Sequence, residues 1–421
     1  MIVLDRSKNL EKFLEYFHLL VFILSFTNPF VRKNIEIAIY LLIFLSFLSK
    51  KFFSFSRKDF QALIIILFFI SFEFIHALIF NLDNLKTTIR VFSYFAVSYF
   101  TVKILRHNFL AYFVNITVAL SILSLLMYAM AYATPFTYKI LYIYSEAMFP
   151  LDLDVNNYRT PTFILYTFDP AYFSENNILR NAGFTWEAGG LATYLNFAIV
   201  FNLMNNFPKG YRQFIADWRN KILLITMATT FSTAGYVTLF IVMAIYFLNK
   251  FTISNFIFII IFIPVAIYLY FTLDFLGQKI NEQLDQASIS QNRFGAAMLD
   301  FEDIIKRPFF GWSRDFSVLF KTNDYIYELH RPNGITNFLR CYGFIYVLSY
   351  ILILYASTQN MAKNLRLKNY KLFPYLIITV LIMMGFSQLV MHTLFTMSLL
   401  FLGIVSFNFK TLNISDYKVL K

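Results

Sequence analysis

The side chains with the most chemistry to offer crowd into one stretch. Arg293, Asp300, Glu302, Asp303, Lys306, Arg307, Arg314, Asp324, His330 and Arg331 all fall there, in a chain that is only 14% charged. Guanidinium groups fit phosphate oxygens with paired hydrogen bonds and keep their charge at any working pH. A histidine beside them is suited to take a proton from a hydroxyl near neutral pH. The stretch is equipped for a phosphate-bearing partner, although charged loops are also ordinary solvated surface. Glu73 and His76 lie three residues apart on one face of an apolar run, a costly placement for ionisable groups inside a membrane. Pairing with Arg90 of the next helix, to fix packing, is the expectation; a transporter's proton relay is the alternative. Asp152-Leu-Asp154 has the spacing of two oxygen ligands for Mg²⁺ or Mn²⁺. So short a pattern arises easily by chance, and neither a metal nor a cofactor is expected. Cys341 is the only cysteine, which excludes an intramolecular disulfide and cysteine-based metal sites.

The elements that must position these groups are membrane helices. Of 421 residues 58% are hydrophobic, and the mean hydropathy is +0.60. A soluble domain carries roughly a quarter charged residues. Crossing the hydrocarbon core takes about 20 apolar residues, about 17 at the least. Runs that qualify, some of them short, lie near 16–31, 35–49, 60–80, 88–105, 109–133, 188–206, 219–232, 235–249, 253–273, 336–357, 371–391 and 393–409. The pair 219–232 and 235–249 is short enough to be one interrupted unit.

With the N-terminus in the cytoplasm, most of the 36 basic residues fall in the inner connections, as the bias of basic loops toward the cytoplasm requires. The expected fold is therefore all-α. It is one polytopic transmembrane bundle over residues 1–421, with about twelve spans and both termini inside. The net charge of +12 does not point to nucleic acid, because the basic residues sit between apolar runs. Met1 to Glu15 carries both signs of charge and reads as a cytoplasmic lead-in, not a signal peptide.

Two outer segments, 134–187 and 274–335, are too long for simple connectors. In the second, Phe294, Met298, Phe301 and Ile305 recur at helical spacing, with Arg293, Asp300 and Asp303 on other faces. This predicts an amphipathic helix packed on the membrane domain or lying at its surface.

From about Leu179 to Leu354 the chain resembles the O-antigen polymerases and O-antigen ligases, bacterial membrane glycosyltransferases with a large periplasmic loop. Four stretches carry the likeness, in the family's order. They are Arg180-Asn-Ala-Gly-Phe-Thr-Trp-Glu187-Ala, Thr229-Thr-Phe-Ser232-Thr-Ala-Gly235, Arg293 followed by Arg307-Pro-Phe-Phe-Gly-Trp312, and His330-Arg-Pro-Asn333 followed by Tyr342-Gly343-Phe344. In the second, the family often has an arginine after the serine, and this chain lacks it. The first five spans carry no likeness.

The resemblance implies transfer of a glycan from a polyprenyl pyrophosphate to an acceptor hydroxyl, at the periplasmic face of a bacterial inner membrane. The leaving pyrophosphate develops negative charge that fixed cations stabilise. Arg180, Arg293 and Arg314 are the candidates, Arg293 first. His330 carries over from the family as the base on the acceptor hydroxyl. Glu187, Ser232 and Asn333 are supporting residues. Glu187 is expected mainly to stabilise a helix N-terminus, and Ser232 with Gly235 to allow a tight turn or a close helix approach. Trp186 and Trp312 are placed either to stack on sugars or to mark the membrane interface. A repeat-unit polymerase is the first expectation and a ligase acting on lipid A-core the second. A polysaccharide flippase, which calls for similar halves and interrupted helices, is the rival of another class. Partners implied are the lipid-linked glycan, membrane lipid and a chain-length regulator.

Overall fold

The computed structural model describes residues 2–49, 51–54, 56–82, 85–148, 161–169, 179–208, 210–249, 293–315, 318, 333–367, 370–391 and 393–404. The expected span near 253–273, together with Asp152-Leu-Asp154, His330 and His392, lies outside the described residues.

The chain is mostly helical. In order it forms α1 (Ile2–Thr27), α2 (Pro29–Lys33), α3 (Ile35–Leu48), α4 (Arg57–Phe80), α5 (Leu85–Leu105), α6 (Phe109–Ala133) and α7 (Pro135–Met148). A two-stranded antiparallel hairpin, β1 (Thr162–Phe163) and β2 (Tyr166–Thr167), follows. Then come α8 (Ala188–Asn206), α9 (Tyr211–Ala216), α10 (Trp218–Thr229), α11 (Thr233–Leu248), α12 (Arg293–Lys306), α13 (Gly334–Asn364), α14 (Leu372–Ser387) and α15 (Leu394–Leu399).

Helix ends follow local chemistry. The Asp59 carboxylate accepts from the Ser56 N–H to start α4, and Asn81, in the left-handed region, ends it. α8 is buried along nearly its whole length and forms the centre against which α6, α10, α11 and α14 pack.

Among the described residues three segments are long and apolar enough to cross a membrane: Arg57–Phe80, Leu85–Ala133 and Gly334–Asn364. Ile35–Leu48, Thr233–Leu248 and Leu372–Ser387 are shorter apolar helices. The pair left open in the sequence resolves into two helices, α10 and α11, joined by a turn at Thr230–Ser232. The run expected near 393–409 begins as a six-residue helix and continues as turns to Ile404. Its polar backbone is met from α13, where the Ser357 hydroxyl donates to the Leu399 carbonyl and accepts from Gly403 N–H.

Polar contacts gather at two ends of the helices. At one end Lys51 pairs with Glu15, Lys103 meets Asp59 at 2.6 Å, and the Tyr99 hydroxyl donates to Asp59. At the other, Arg90 meets Glu36 at 3.2 Å, Asn28 donates to the Ile164 carbonyl at 3.0 Å, and His76 Nε2 lies 2.6 Å from the Phe310 carbonyl oxygen. At about 1.5 Å of rise per residue, Asp59 and His76 on α4 are roughly 26 Å apart and Lys103 and Arg90 on α5 roughly 20 Å. Between them, Leu63, Ile64, Leu67 and Phe74 of α4 are exposed. A continuous apolar face of that length, flanked by ionic ends, fits a hydrocarbon core about 30 Å thick and would be a liability in water.

Candidate functional site

A broken helix organises one side of the site. Gly343 interrupts α13 at φ 75°, ψ 176°, a region open essentially to glycine alone. The break frees the carbonyls of Arg340 and Cys341 and the N–H groups of Phe344 and Ile345 from the helical ladder. The segment after α12 takes them up. Trp312 and Ser313 donate to Arg340 and Cys341 at 2.9 and 3.0 Å, and Phe344 donates to Pro308 at 2.7 Å. Gly311 and Gly343 permit the approach, since a Cβ on either would lie within 2.6 Å of opposing backbone. This strap, residues 307–313, is thus built into α13, and Arg314 follows it directly.

The first two stretches of the resemblance are stapled together in the same manner. Asn181 donates from its backbone to the Thr229 carbonyl and from its amide to the Thr229 hydroxyl, each at 2.9 Å. Arg180 Nε donates to the Thr230 carbonyl at 3.3 Å, and its N–H to Asp169 at 2.9 Å. Arg293, half-buried at the start of α12, lies within electrostatic range of both Arg180 and Glu187. Burial draws the Arg293 guanidinium below its ordinary value while Glu187 pulls it back up; at so basic a group the charge survives. Arg180 and Glu187 thus both lie within electrostatic range of Arg293, although the three come from segments far apart in the chain.

Glu187 occupies the N-cap position of α8, but its side chain makes no capping hydrogen bond. It is exposed and lies within electrostatic range of Arg293. Ser232 is a helix cap: its hydroxyl accepts from Gly235 N–H at 3.3 Å. A Cβ on Gly235 would lie 2.6 Å from that of Ala192, so the expected close approach is present, between α11 and α8. Asn333 caps α13, accepting from the N–H groups of Ile335 and Thr336 at 3.1 Å. Gln388 touches the N-termini of both α8 and α13, against Gly189 and Gly334. Among the described residues the buried amide nitrogens of Asn333 and Gln388 have no hydrogen-bond partner.

Arg314 does not join the pair at Arg180. It lies within electrostatic range of Glu73, Tyr342 and Tyr346. The expected pairing of Glu73 and His76 with Arg90 is corrected. Arg90 is taken by Glu36, while Glu73 accepts from the Tyr342 hydroxyl at 2.7 Å and His76 bonds the strap at Phe310. The two ionisable groups of α4 fix packing as foreseen, but against α13 and the strap instead of α5.

Trp312 is buried. Its indole N–H donates to the Asp303 carbonyl at 2.8 Å, its ring stacks on Phe80, and Arg307 lies 4.6 Å over it. Burial leaves little of the indole for a sugar to stack on. Trp186 is half-buried, with the Arg32 guanidinium 5.6 Å from its ring centroid.

Sequence reasoning missed Arg340, whose guanidinium is fully buried and meets Asp300 at 3.4 Å, with Thr336 donating to the same carboxylate at 2.6 Å. The signal was present: a basic residue near the start of an apolar span is a flag in itself. Among the described residues no group of three or more His, Cys, Asp or Glu is placed to hold a metal ion. The chain matches no protein-family model and no curated protein.

Proposed function

We propose that the chain polymerises polyprenyl-pyrophosphate-linked oligosaccharide repeats, as a multi-pass glycosyltransferase of the bacterial inner membrane working at its periplasmic face. The observation that carries the reading is that Arg180 and Glu187 both lie within electrostatic range of Arg293, where stretches distant in sequence are brought together. The topology of about twelve spans with both termini in the cytoplasm is part of the proposal. It is supported by the sorting of contacts. Residues assigned to inner connections by their charge (Glu15, Lys51, Asp59 and Lys103) meet one another. Residues assigned to outer ones (Asn28, Arg32, Trp186) meet on the other side.

In the reaction, the bond between the donor sugar's anomeric carbon and the pyrophosphate oxygen breaks, and its electron pair leaves with polyprenyl pyrophosphate. The acceptor hydroxyl oxygen bonds to that carbon and gives its proton to a base. Arg293 and Arg180 would stabilise charge on the departing oxygens, and Glu187 would hold Arg293 toward them. His330 is the proposed base, on the strength of the resemblance.

The test uses purified protein in lipid nanodiscs with a lipid-linked repeat unit. Arg293→Ala should cut polymer formation by about two to three orders of magnitude, the range found when one stabilising donor is removed. An Arg293→Ala protein that inserts normally and polymerises like the parent defeats the reading. Full-length chains left on the carrier in a deletion strain would mark the ligase instead.

A further inference from the structure

An α-helix leaves its first N–H groups without carbonyls of its own, and a buried helix start needs acceptors from elsewhere. In α8 these groups belong to Ala188, Gly189 and Gly190, because Leu191 is the first to reach back, to the Glu187 carbonyl at 3.1 Å. All three residues are buried, and the N-cap residue, Glu187, makes no side-chain cap. Its carboxylate is exposed.

α13 begins against the same residue, Gln388, and its start is settled. Asn333 accepts from Ile335 and Thr336. The carbonyl oxygens of Gln388 and Gly385 would lie 2.0 and 2.6 Å from a Cβ on Gly334, so the carboxyl end of α14 backs onto this turn.

The side chain over the first turn of α8 is a further donor. The Gln388 amide nitrogen would stand 2.3 Å from a Cβ on Gly189, filling the place of the missing side chain. Gln388 is 3% exposed, and that nitrogen has no hydrogen-bond partner. Asn333, one residue before Gly334, is 0% exposed and holds a second unpartnered amide nitrogen. Its oxygen is spent on α13.

We propose that the first turn of α8, with the Gln388 and Asn333 amides, is a binding site for a small monovalent anion, chloride in ordinary salt. The inference stands apart from the transferase reading and survives its failure.

The groups gathered here donate and do not accept. A water would bring two hydrogens of its own to such a place and needs acceptors for them; a halide brings none. Gly189 and Gly190 keep side chains away from the turn, so an ion can approach the backbone N–H groups themselves. The donors are neutral, and a helix N-terminus carries only about half a positive charge. That suits one negative charge. A phosphate brings nearly two and is matched by guanidinium forks, which none of these groups supplies. A bound ion would tie α8, at the centre of the bundle, to α13 and α14, so occupancy should register as stability.

The experiment follows thermal unfolding of the purified full chain in detergent. Sodium chloride replaces sodium gluconate at constant ionic strength, with parallel arms in bromide and inorganic phosphate. Chloride should raise the midpoint along a saturating curve, by about 2–4 °C, and bromide should do the same. Gln388→Glu sets a carboxylate over the helix start. It should lose the chloride response and unfold in gluconate at or above the parent's midpoint. Gly189→Ala keeps a good helix former and pushes the Gln388 amide aside; it should need about tenfold more chloride for the same rise, the worth of one hydrogen bond to a charged group.

Equal parent midpoints in chloride and gluconate overturn the site. A saturating response unchanged in both variants puts the ion elsewhere and overturns the assignment to α8. Stabilisation by phosphate without stabilisation by bromide overturns the choice of a monovalent ion.

Discussion

Gly343→Ala should release the strap from α13. At φ 75°, ψ 176° an alanine costs about 1–3 kcal/mol in backbone strain alone. Its Cβ would also stand 2.3 Å from the Phe309 carbonyl oxygen and 2.6 Å from the Phe310 nitrogen, so backbone has to move. If the strap leaves, three hydrogen bonds of 2.7 to 3.0 Å go with it, each worth about 1 kcal/mol net. The chain has one way to recover them. α13 can close across residue 343, so that Phe344 donates to Arg340 within the helix. Overall stability then falls little, but the strap and Arg314 lose their seat.

Both routes uncover Cys341, which is buried and whose carbonyl lies under the strap. As the sole cysteine, it can be followed with a maleimide in detergent without background. A loss of about 3 kcal/mol in local protection should speed labelling by roughly two orders of magnitude, at about 1.4 kcal/mol per tenfold. The thermal midpoint decides between the routes: a large drop means the strap came away, and a small one means the helix closed. A parent-like labelling rate in an inserted Gly343→Ala protein would refute the argument from glycine geometry.

Three other substitutions probe the packing that supports the site. Asp300→Asn leaves Arg340 buried without its counter-charge and should cost about 3–5 kcal/mol; Asp300→Asn/Arg340→Met should restore most of it in thermal unfolding. Gly235→Val forces α11 off α8 at Ala192 and should destabilise by about 1–3 kcal/mol, with Gly235→Ala in between. Arg307→Gln removes a cation lying 4.7 Å over Phe80 and 4.6 Å over Trp312; about 1–2 kcal/mol should be lost, visible as a shift in Trp312 fluorescence together with a lower midpoint.

Helix positions were largely legible in the sequence, because apolar run length is a one-dimensional property. The run at 188–206 coincides with α8, and the runs at 60–80 and 109–133 differ from α4 and α6 by three residues or fewer. What sequence could not supply was the break at Gly343, since a glycine inside an apolar span usually means only a close approach. Here its meaning comes from residues 307–313, whose free backbone groups need the carbonyls that the break exposes. The sorting of arginines was equally hidden. Arg180, Arg293 and Arg314 look alike as loop cations, and only the fold puts Arg293 in range of Arg180 and Glu187 and Arg314 in range of Glu73, Tyr342 and Tyr346.

α12 is the case where a correct periodicity says least about orientation. The apolar stripe predicted from spacing exists, and in water it would face the protein. Instead Met298, Phe301 and Ile305 point outward, while Ala296, Ala297, Asp300, Asp303 and Ile304 are buried. The buried face works because it is small and because Asp300 finds Arg340 and Thr336. Three large side chains held in water would forgo about 1.5–3 kcal/mol each, more than one buried ion pair returns. The arrangement is stable only if the outward stripe meets an apolar phase. The exposed Phe344, Leu348 and Leu352 of α13, against which α12 packs, continue that surface. On the function proposed above, lipid along that surface would hold Arg293, the first residue of α12, at the level where a lipid-borne phosphate arrives.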